Sequence, residues 1–297
     1  MAITRTALGT GESTVGQATV AISAGAISAG DTIICVVASD KGLYPVPPEV
    51  RYFYDGSNYE EPTVARDATA TNSGNVVTEI IRWTAGYAST SGAYLLVYAY
   101  GSSSDSIAVA AIKLSGLAAS PFDKASAGTG TGTAPSSGAT AETSQADEIL
   151  IGAVGWEGDM GDNHGTWNGS FSDGQIDGSP DKAGAKGIVI NEGYRIVSAA
   201  AAYTASKAGC TSRDWAAAIA TYKGQAAGTQ YEQALTSATA SFSAALLSSH
   251  GFTKALTSGM AALGATISRI PSKTLTGGLA TLAASINKQT RRFLAGG

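Results

Sequence analysis

The chain has 297 residues, and at 14% charged it falls well short of the about 25% usual for a soluble domain. Its 44% hydrophobic content is enough to bury a core, so the chain is not disordered as a whole, while a formal charge of −4 argues against a nucleic-acid-binding protein. Glycine (37 residues), Ala, Ser and Thr take the place of charge, a profile unlike that of a soluble cytosolic enzyme.

Residues 1–16 read as an N-terminal arm. Met1 to Gly9 lack the apolar core of about 7–15 residues that a signal peptide needs, and no run reaches the roughly 18 apolar residues of a membrane span. A protein made without a secretion signal and without a membrane partner is expected. From 17 to 224 the dominant signal is short β-branched and aromatic runs separated by Gly, Asp, Asn, Ser and Pro. In chain order the predicted strands cover 17–22, 31–39, 50–54, 76–84, 93–100, 106–114, 148–154, 187–196, 198–204 and 214–223. Ten strands with no amphipathic helix between them define a mainly β chain, an antiparallel β-sandwich of the jelly-roll kind. The Asp55-Gly56 step between aromatic flanks predicts a tight hairpin, since Gly accepts the positive φ such turns use. Trp83 and Trp215, in strand-like runs, read as core anchors.

Cys35 and Cys210 are the only cysteines and form no CxxC pair. Cys35 lies in the run Thr32-Ile33-Ile34-Cys35-Val36-Val37, where a free thiol behaves as a small hydrophobe. Two unpaired thiols are favoured over a disulfide. Residues 125–146, nearly all Gly, Thr, Ser and Ala, suit either a flexible loop or an edge strand. Residues 155–187, rich in Gly and Asp, are too long for a simple connection and read as a functional loop or a wide excursion between strands.

No nucleophile elbow G-x-S-x-G, HExxH, P-loop or GxGxxG occurs, and there are only two histidines, so a non-enzymatic protein without cofactor is expected. The one chemical constellation is the stretch from Trp156 to Trp167. Sugar binding on a β-sandwich uses an aromatic plate for the apolar face of a pyranose and carboxylates or amides for its hydroxyls. Trp156, Asp159, Asp162, Asn163, His164 and Trp167 supply both kinds of group. The acids could also offer oxygen ligands to Ca²⁺, although their spacing is not that of an EF-hand loop. A plainer reading packs one tryptophan into the core and leaves the acids in solvent. Tyr44, Tyr52, Tyr54 and Tyr59 read as half buried in a hairpin.

The tail, residues 225–297, is different. After Glu232 it holds six basic residues and no acid, whereas the first 232 residues carry 13 basic and 23 acidic side chains, a net −10 against +6. Such asymmetry points to an interaction surface. The tail also repeats: Leu235-Thr236-Ser237-Ala238, Leu256-Thr257-Ser258-Gly259, Leu275-Thr276-Gly277-Gly278 and Leu294-Ala295-Gly296-Gly297 start 21, 19 and 19 residues apart. In the two best copies the apolar residues Leu256, Met260, Leu263 and Ile267 match Leu275, Leu279, Leu282 and Ile286. Units this small cannot bury an apolar face alone, so these eight residues are the expected oligomerisation surface. Their spacing favours helical segments, and a repeating β arrangement competes.

The phrases Gly30-Asp31-Thr32-Ile33-Ile34-Cys35-Val36-Val37-Ala38, Leu114-Ser115-Gly116-Leu117, Pro121-Phe122-Asp123 and Gln145-Ala146-Asp147-Glu148-Ile149-Leu150-Ile151-Gly152 resemble those of jelly-roll modules in tailed-bacteriophage virion proteins. The Leu-Thr-x-Gly tail is similar to C-terminal repeats of phage minor structural proteins. The resemblance implies a capsid decoration or a short head or tail fibre, made in the host cytoplasm and located in the virion. It further implies a homotrimer that binds other virion proteins and contacts host-surface glycans, with a carbohydrate-binding receptor module as the alternative. Nucleic acid is not an expected partner, because Leu and Ile alternate with the basic tail residues.

Overall fold

A computed structural model of the chain describes residues 2–13, 19–40, 48–72, 75–98, 106–178 and 187–225. They lie in one unit, Met1–Ala226. The tail repeat, including the eight apolar positions from Leu256 to Ile286, falls outside the described residues.

The first half contains β1 (Thr4–Ser13), β2 (Thr19–Ser23), β3 (Thr32–Asp40), β4 (Glu49–Phe53), β5 (Tyr59–Glu60), β6 (Ala65–Asn72), β7 (Val76–Thr84), β8 (Tyr94–Tyr98) and β9 (Ile107–Ser115). The second contains β10 (Leu117–Gly132), β11 (Ser136–Ala139), β12 (Asp147–Glu157), β13 (His164–Trp167), β14 (Ser172–Gly178), β15 (Ile188–Ser198), β16 (Thr204–Cys210) and β17 (Arg213–Gly224). Every paired strand is antiparallel, and no helix occurs among the described residues.

Four sheets result, two from each half. The first half makes an inner sheet β1-β9-β3-β7-β6 and an outer sheet β2-β8-β4-β5; the second makes an inner sheet β10-β17-β12-β15-β14 and an outer sheet β11-β16-β13. The strand order of the second half repeats that of the first, strand for strand, with only the β5 equivalent missing. Register repeats as well: Val37 of β3 faces Glu79 of β7, and at the matching place Val154 of β12 faces Asn191 of β15.

The two inner sheets pack face to face. Alternation on a strand sends successive side chains to opposite faces. Ile34, Val36 and Ala38 of β3 therefore meet Ile149, Ile151 and Ala153 of β12 in a central core, completed by Ala108, Ala110 and Ile112 of β9 and Ala216, Ala218 and Ala220 of β17. The intervening residues Ile33, Cys35 and Val37 point the other way, into a second core with Val20, Ile22, Val50, Tyr52, Leu95 and Val97 of the first outer sheet. This explains why β3 is an unbroken apolar run: both of its faces are covered and all nine of its residues are buried. Each fully buried side chain of Val, Leu or Ile size contributes about 1.5–3 kcal/mol. In β17 the alanines let the sheets approach closely on either side.

Polar groups lock the two inner sheets in register. Arg5 Nε donates to Glu192 Oε1 at 2.9 Å, and Arg5 also stacks on the Tyr194 ring. Asn72 Nδ2 donates to the carbonyls of Gly130 (2.8 Å) and Trp215 (3.1 Å), and the Tyr222 hydroxyl donates to Asp67 (2.9 Å), itself paired with Arg82.

Most predicted strands are present with ends shifted by a residue or a few. The strand expected at 198–204 is displaced to β16, Thr204–Cys210. The stretch read as an N-terminal arm supplies the edge strand β1, where Gly11 matters: a Cβ there would lie 2.6 Å from Val20 Cγ1. Of the two readings for 125–146, the edge strand holds for its first part, since β10 runs to Gly132 at a sheet edge. The long excursion from 155 carries β13 and β14. The Asp55-Gly56 turn forms, with Gly56 at φ 83° and Asp55 Oδ1 accepting from the backbone N–H of Ser57 and Asn58. Cys35 and Cys210 are both buried free thiols. Trp83 is 2% exposed, and Trp215 lies partly buried against the Trp156 cluster.

Candidate functional site

The loop that joins β12 to β13 is held by its own acids. Asp159 Oδ1 accepts from the Gly161 N–H at 2.6 Å, and the Asp162 carboxylate forms a two-pronged pair with Arg213, 2.9 and 3.1 Å. That guanidinium holds the Asp162 carboxyl below its ordinary pKa. Asn163 Oδ1 accepts from the Gly165 N–H, and His164 Nε2 lies 3.3 Å from the Asp159 carbonyl. The His164 ring tilts against Trp156, with 5.2 Å between centroids. The six sequence-selected residues are thus brought to one region, but their roles divide. Asp159, Asp162 and Asn163 shape the loop, whereas Trp156 is 3% exposed and Trp167 is partly buried, both turned inward.

What the two tryptophans enclose is Lys207. This residue of β16 is 1% exposed, and its Nζ lies 5.1 Å from the Trp167 ring centroid and 5.8 Å from that of Trp156. Its Nζ donates to Asn191 Oδ1 of β15. Glycines make the floor: Gly152 and Gly193 face each other across β12 and β15, and a Cβ on Gly193 would lie 2.4 Å from Trp167 Cε2. Only bare backbone there lets the indole lie flat. At the rim, Asp173, an exposed residue of β14, turns Oδ1 inward, accepting from Trp167 Nε1 (3.1 Å) and Asn191 Nδ2 (3.3 Å). Burial pushes the Lys207 pKa down, against the opposing pull of Asp173 and Cys210. The cage sits between two apolar clusters, one around Leu150, Phe171 and Ile219 and one around Val154, Trp156 and Val189.

Lys207, Asn191 and Asp173 were not singled out from sequence. A signal exists for two of them: Asn191-Glu192 interrupts the apolar strand between Ile190 and Tyr194, and Lys207 shares its strand phase with buried Ala205.

A second feature lies on the opposite outer surface. Phe53 of β4 stacks on Tyr94 of β8 (4.4 Å, 7° between planes), and Tyr59 of β5 leans on Phe53 at 4.9 Å. Arg51 lies between the rings of Tyr59 and Tyr98 and pairs with Glu61. Tyr59 is 46% exposed, so part of this aromatic strip faces solvent. Tyr52 is fully buried, Tyr54 stacks on exposed Tyr87, and Tyr44 lies outside the described residues.

Among the described residues no group of His, Cys, Asp and Glu is placed to hold a metal ion, and no helix is long and apolar enough to cross a membrane. No family model matches the chain, and no curated protein or solved structure matches it.

Proposed function

We propose that the protein is a non-enzymatic structural protein of a bacteriophage virion, a capsid decoration or short head or tail fibre, with its β body displayed outward and its C-terminal repeats joining it to copies of itself and to other virion proteins. The observation that carries this reading is the strand order. The order β1-β9-β3-β7 over β2-β8-β4-β5 supports a jelly-roll reading, eight strands as two Greek keys, and β10-β17-β12-β15 over β11-β16-β13 repeats that order with seven strands. Jelly rolls are a recurrent solution for viral capsid proteins and lectins because two short sheets close on one core. Two such pairs of sheets sharing one central core would suit display. The +6 tail with repeating Leu and Ile supplies the surface by which three copies would gather on one axis.

Light scattering and negative-stain imaging of the full chain beside a chain ending at residue 226 test the reading. The full chain is expected as a trimer with three lobes, and the shortened chain as a folded monomer. A monomeric full chain, or an unchanged oligomer after shortening, contradicts it.

The alternative, a carbohydrate-binding adhesion module, draws support from the strip of Phe53, Tyr59, Tyr94 and Tyr98 with Arg51 beside it. Aromatic faces exposed on a sheet offer stacking planes for pyranose rings, and the guanidinium offers donors for hydroxyls. On this reading Tyr59→Ala lowers binding on a glycan array at least tenfold, while loss of Asn163 from the β12–β13 loop changes it little. An array without any signal removes the alternative.

A further inference from the structure

We propose that Lys207 and Asn191 join through an intramolecular isopeptide bond, with Asp173 as the proton-transfer group, so that the second outer sheet is covalently tied to the second inner sheet. Four observations converge on this site. An amine and a carboxamide are in direct contact inside the protein, the Lys207 Nζ on Asn191 Oδ1, which puts the nucleophile one bond away from the carbonyl carbon. The amine is 1% exposed, and among the described residues its hydrogen bond is to that amide oxygen. Burying an ammonium is costly, so burial favours the neutral, nucleophilic amine, and this outweighs the opposing pull of Asp173 and Cys210. The amide is held from its far side: Asn191 Nδ2 donates to Gln175 O (3.1 Å), Glu192 O (3.3 Å) and Asp173 Oδ1 (3.3 Å), so the nitrogen that must leave already touches a carboxylate. Finally, the tryptophan walls and the Gly152/Gly193 floor help bury Lys207 and Asn191, each 1% exposed, while Asp173 lies exposed at the rim.

The step balances within the chain. Lys207 Nζ attacks Asn191 Cγ and the Nζ–Cγ bond forms. Asp173 accepts one proton from Nζ and delivers one to Nδ2, then the Cγ–Nδ2 bond breaks and ammonia leaves. The new amide keeps one Nζ hydrogen, Asp173 returns to its starting state, and no oxidant, metal or cofactor enters. Holding nucleophile and carbonyl in one geometry replaces a bimolecular encounter, which is the main contribution a fold can make to a sluggish aminolysis. Trp167 serves as a positioning residue, through its Nε1 donation to Asp173.

The test is mass spectrometry on the purified full chain, intact under denaturing conditions and again after proteolysis. The expected wild-type chain is one ammonia lighter than its sequence and yields a branched peptide joining Lys207 to Asn191. Lys207→Arg, whose guanidinium cannot form the bond, restores the full mass, as does Asp173→Ala. A wild-type chain of full mass overturns the proposal. So does an ammonia loss without the branched peptide, because the Asn168-Gly169 step can lose ammonia by cyclising on its own. Branched peptide persisting in Asp173→Ala overturns the role given to Asp173.

Discussion

The two halves of the body share one strand order and differ in what fills the same two positions. In the first half, Arg66 of β6 sits opposite Ile81 and forms an ion pair at 2.8 Å with Glu79, the residue facing Val37. In the second, Asp173 of β14 sits opposite Gly193 and accepts from Asn191, the residue facing Val154. Around the first pair the outer core is apolar, with Leu95, Val97, Ile81 and Trp83 filling the space between sheets. Around the second, glycines replace the large side chains, and Lys207 descends into the gap from the outer sheet. One topology thus holds a static ion pair in one copy and an amine, an amide and an acid in the other. Chemistry in this chain depends on the occupants of equivalent sites and not on the fold.

Breaking the ion pair of the first half has the largest expected effect. Arg66→Ala leaves Glu79 buried without compensation and costs about 3–5 kcal/mol in chemical denaturation. Replacing both partners, with Arg66→Met and Glu79→Leu together, recovers most of that loss, which separates the buried charge from the packing. Leu95→Ala, in the apolar core of the same half, is expected to cost about 2–5 kcal/mol. A variant without measurable loss at Leu95 would show that the first outer sheet is not held by its core.

Smaller still is the effect of filling the floor of the cage. Gly193→Ala places a methyl where the Trp167 indole lies, and overpacking of this kind costs about 1–3 kcal/mol. The Trp167 ring is displaced, and its altered fluorescence reports the change. An unshifted spectrum would place the indole elsewhere.

The remaining comparison is in pH. Burial pushes Glu79 up to about 7, against the pull of Arg66, and pushes Glu148 up to about 7, with Asp123 adding to the shift and the Thr221 hydroxyl opposing it. At these two carboxyls the folded chain therefore holds more protons than the unfolded one between about 4.5 and 7. The contribution of both groups is fully present below that window and is lost as pH rises through it. Asp123, where burial is outweighed by the Ser144 N–H and Lys124, is held near 2 and acts only in acid. Midpoints of denaturation measured across the window should fall as pH rises, less steeply in Glu79→Gln and in Glu148→Gln. Equal slopes in all three chains would remove these two carboxyls from the account.

Much of the β architecture was legible because β-branched runs broken by Gly and Asp identify strands whether one face or both are covered. β7, as Val76–Thr84, matches its predicted ends. β6, Ala65–Asn72, had no predicted counterpart, and several of the other misses share a cause. β1, β10 and β16 are built from Gly, Ala, Thr and Ser, which carry little strand preference of their own and are held by their neighbours, as Gly11 against Val20 and Gly130 against Trp215 illustrate. The site was half legible. The tryptophans and acids of 156–167 were found, but the plate-like role given to Trp156 depended on its facing solvent, and its place in β12 beside β15 and β17 turns it inward. Lys207 was missed because an isolated lysine in a weak strand looks like surface, and only the fold brings it to Asn191. The duplication was invisible in the residues, since register and strand order are retained where side chains are not.

The contrast between the halves is tested most directly by a complete peptide map of the full chain, read for branched species. The account predicts a single branched peptide, from the second half, joining β15 to β16 through Asn191 and Lys207, with the first half represented by linear peptides throughout. Linear peptides carrying unmodified Asn191 and Lys207 in full yield would contradict it, leaving two halves that differ in packing alone.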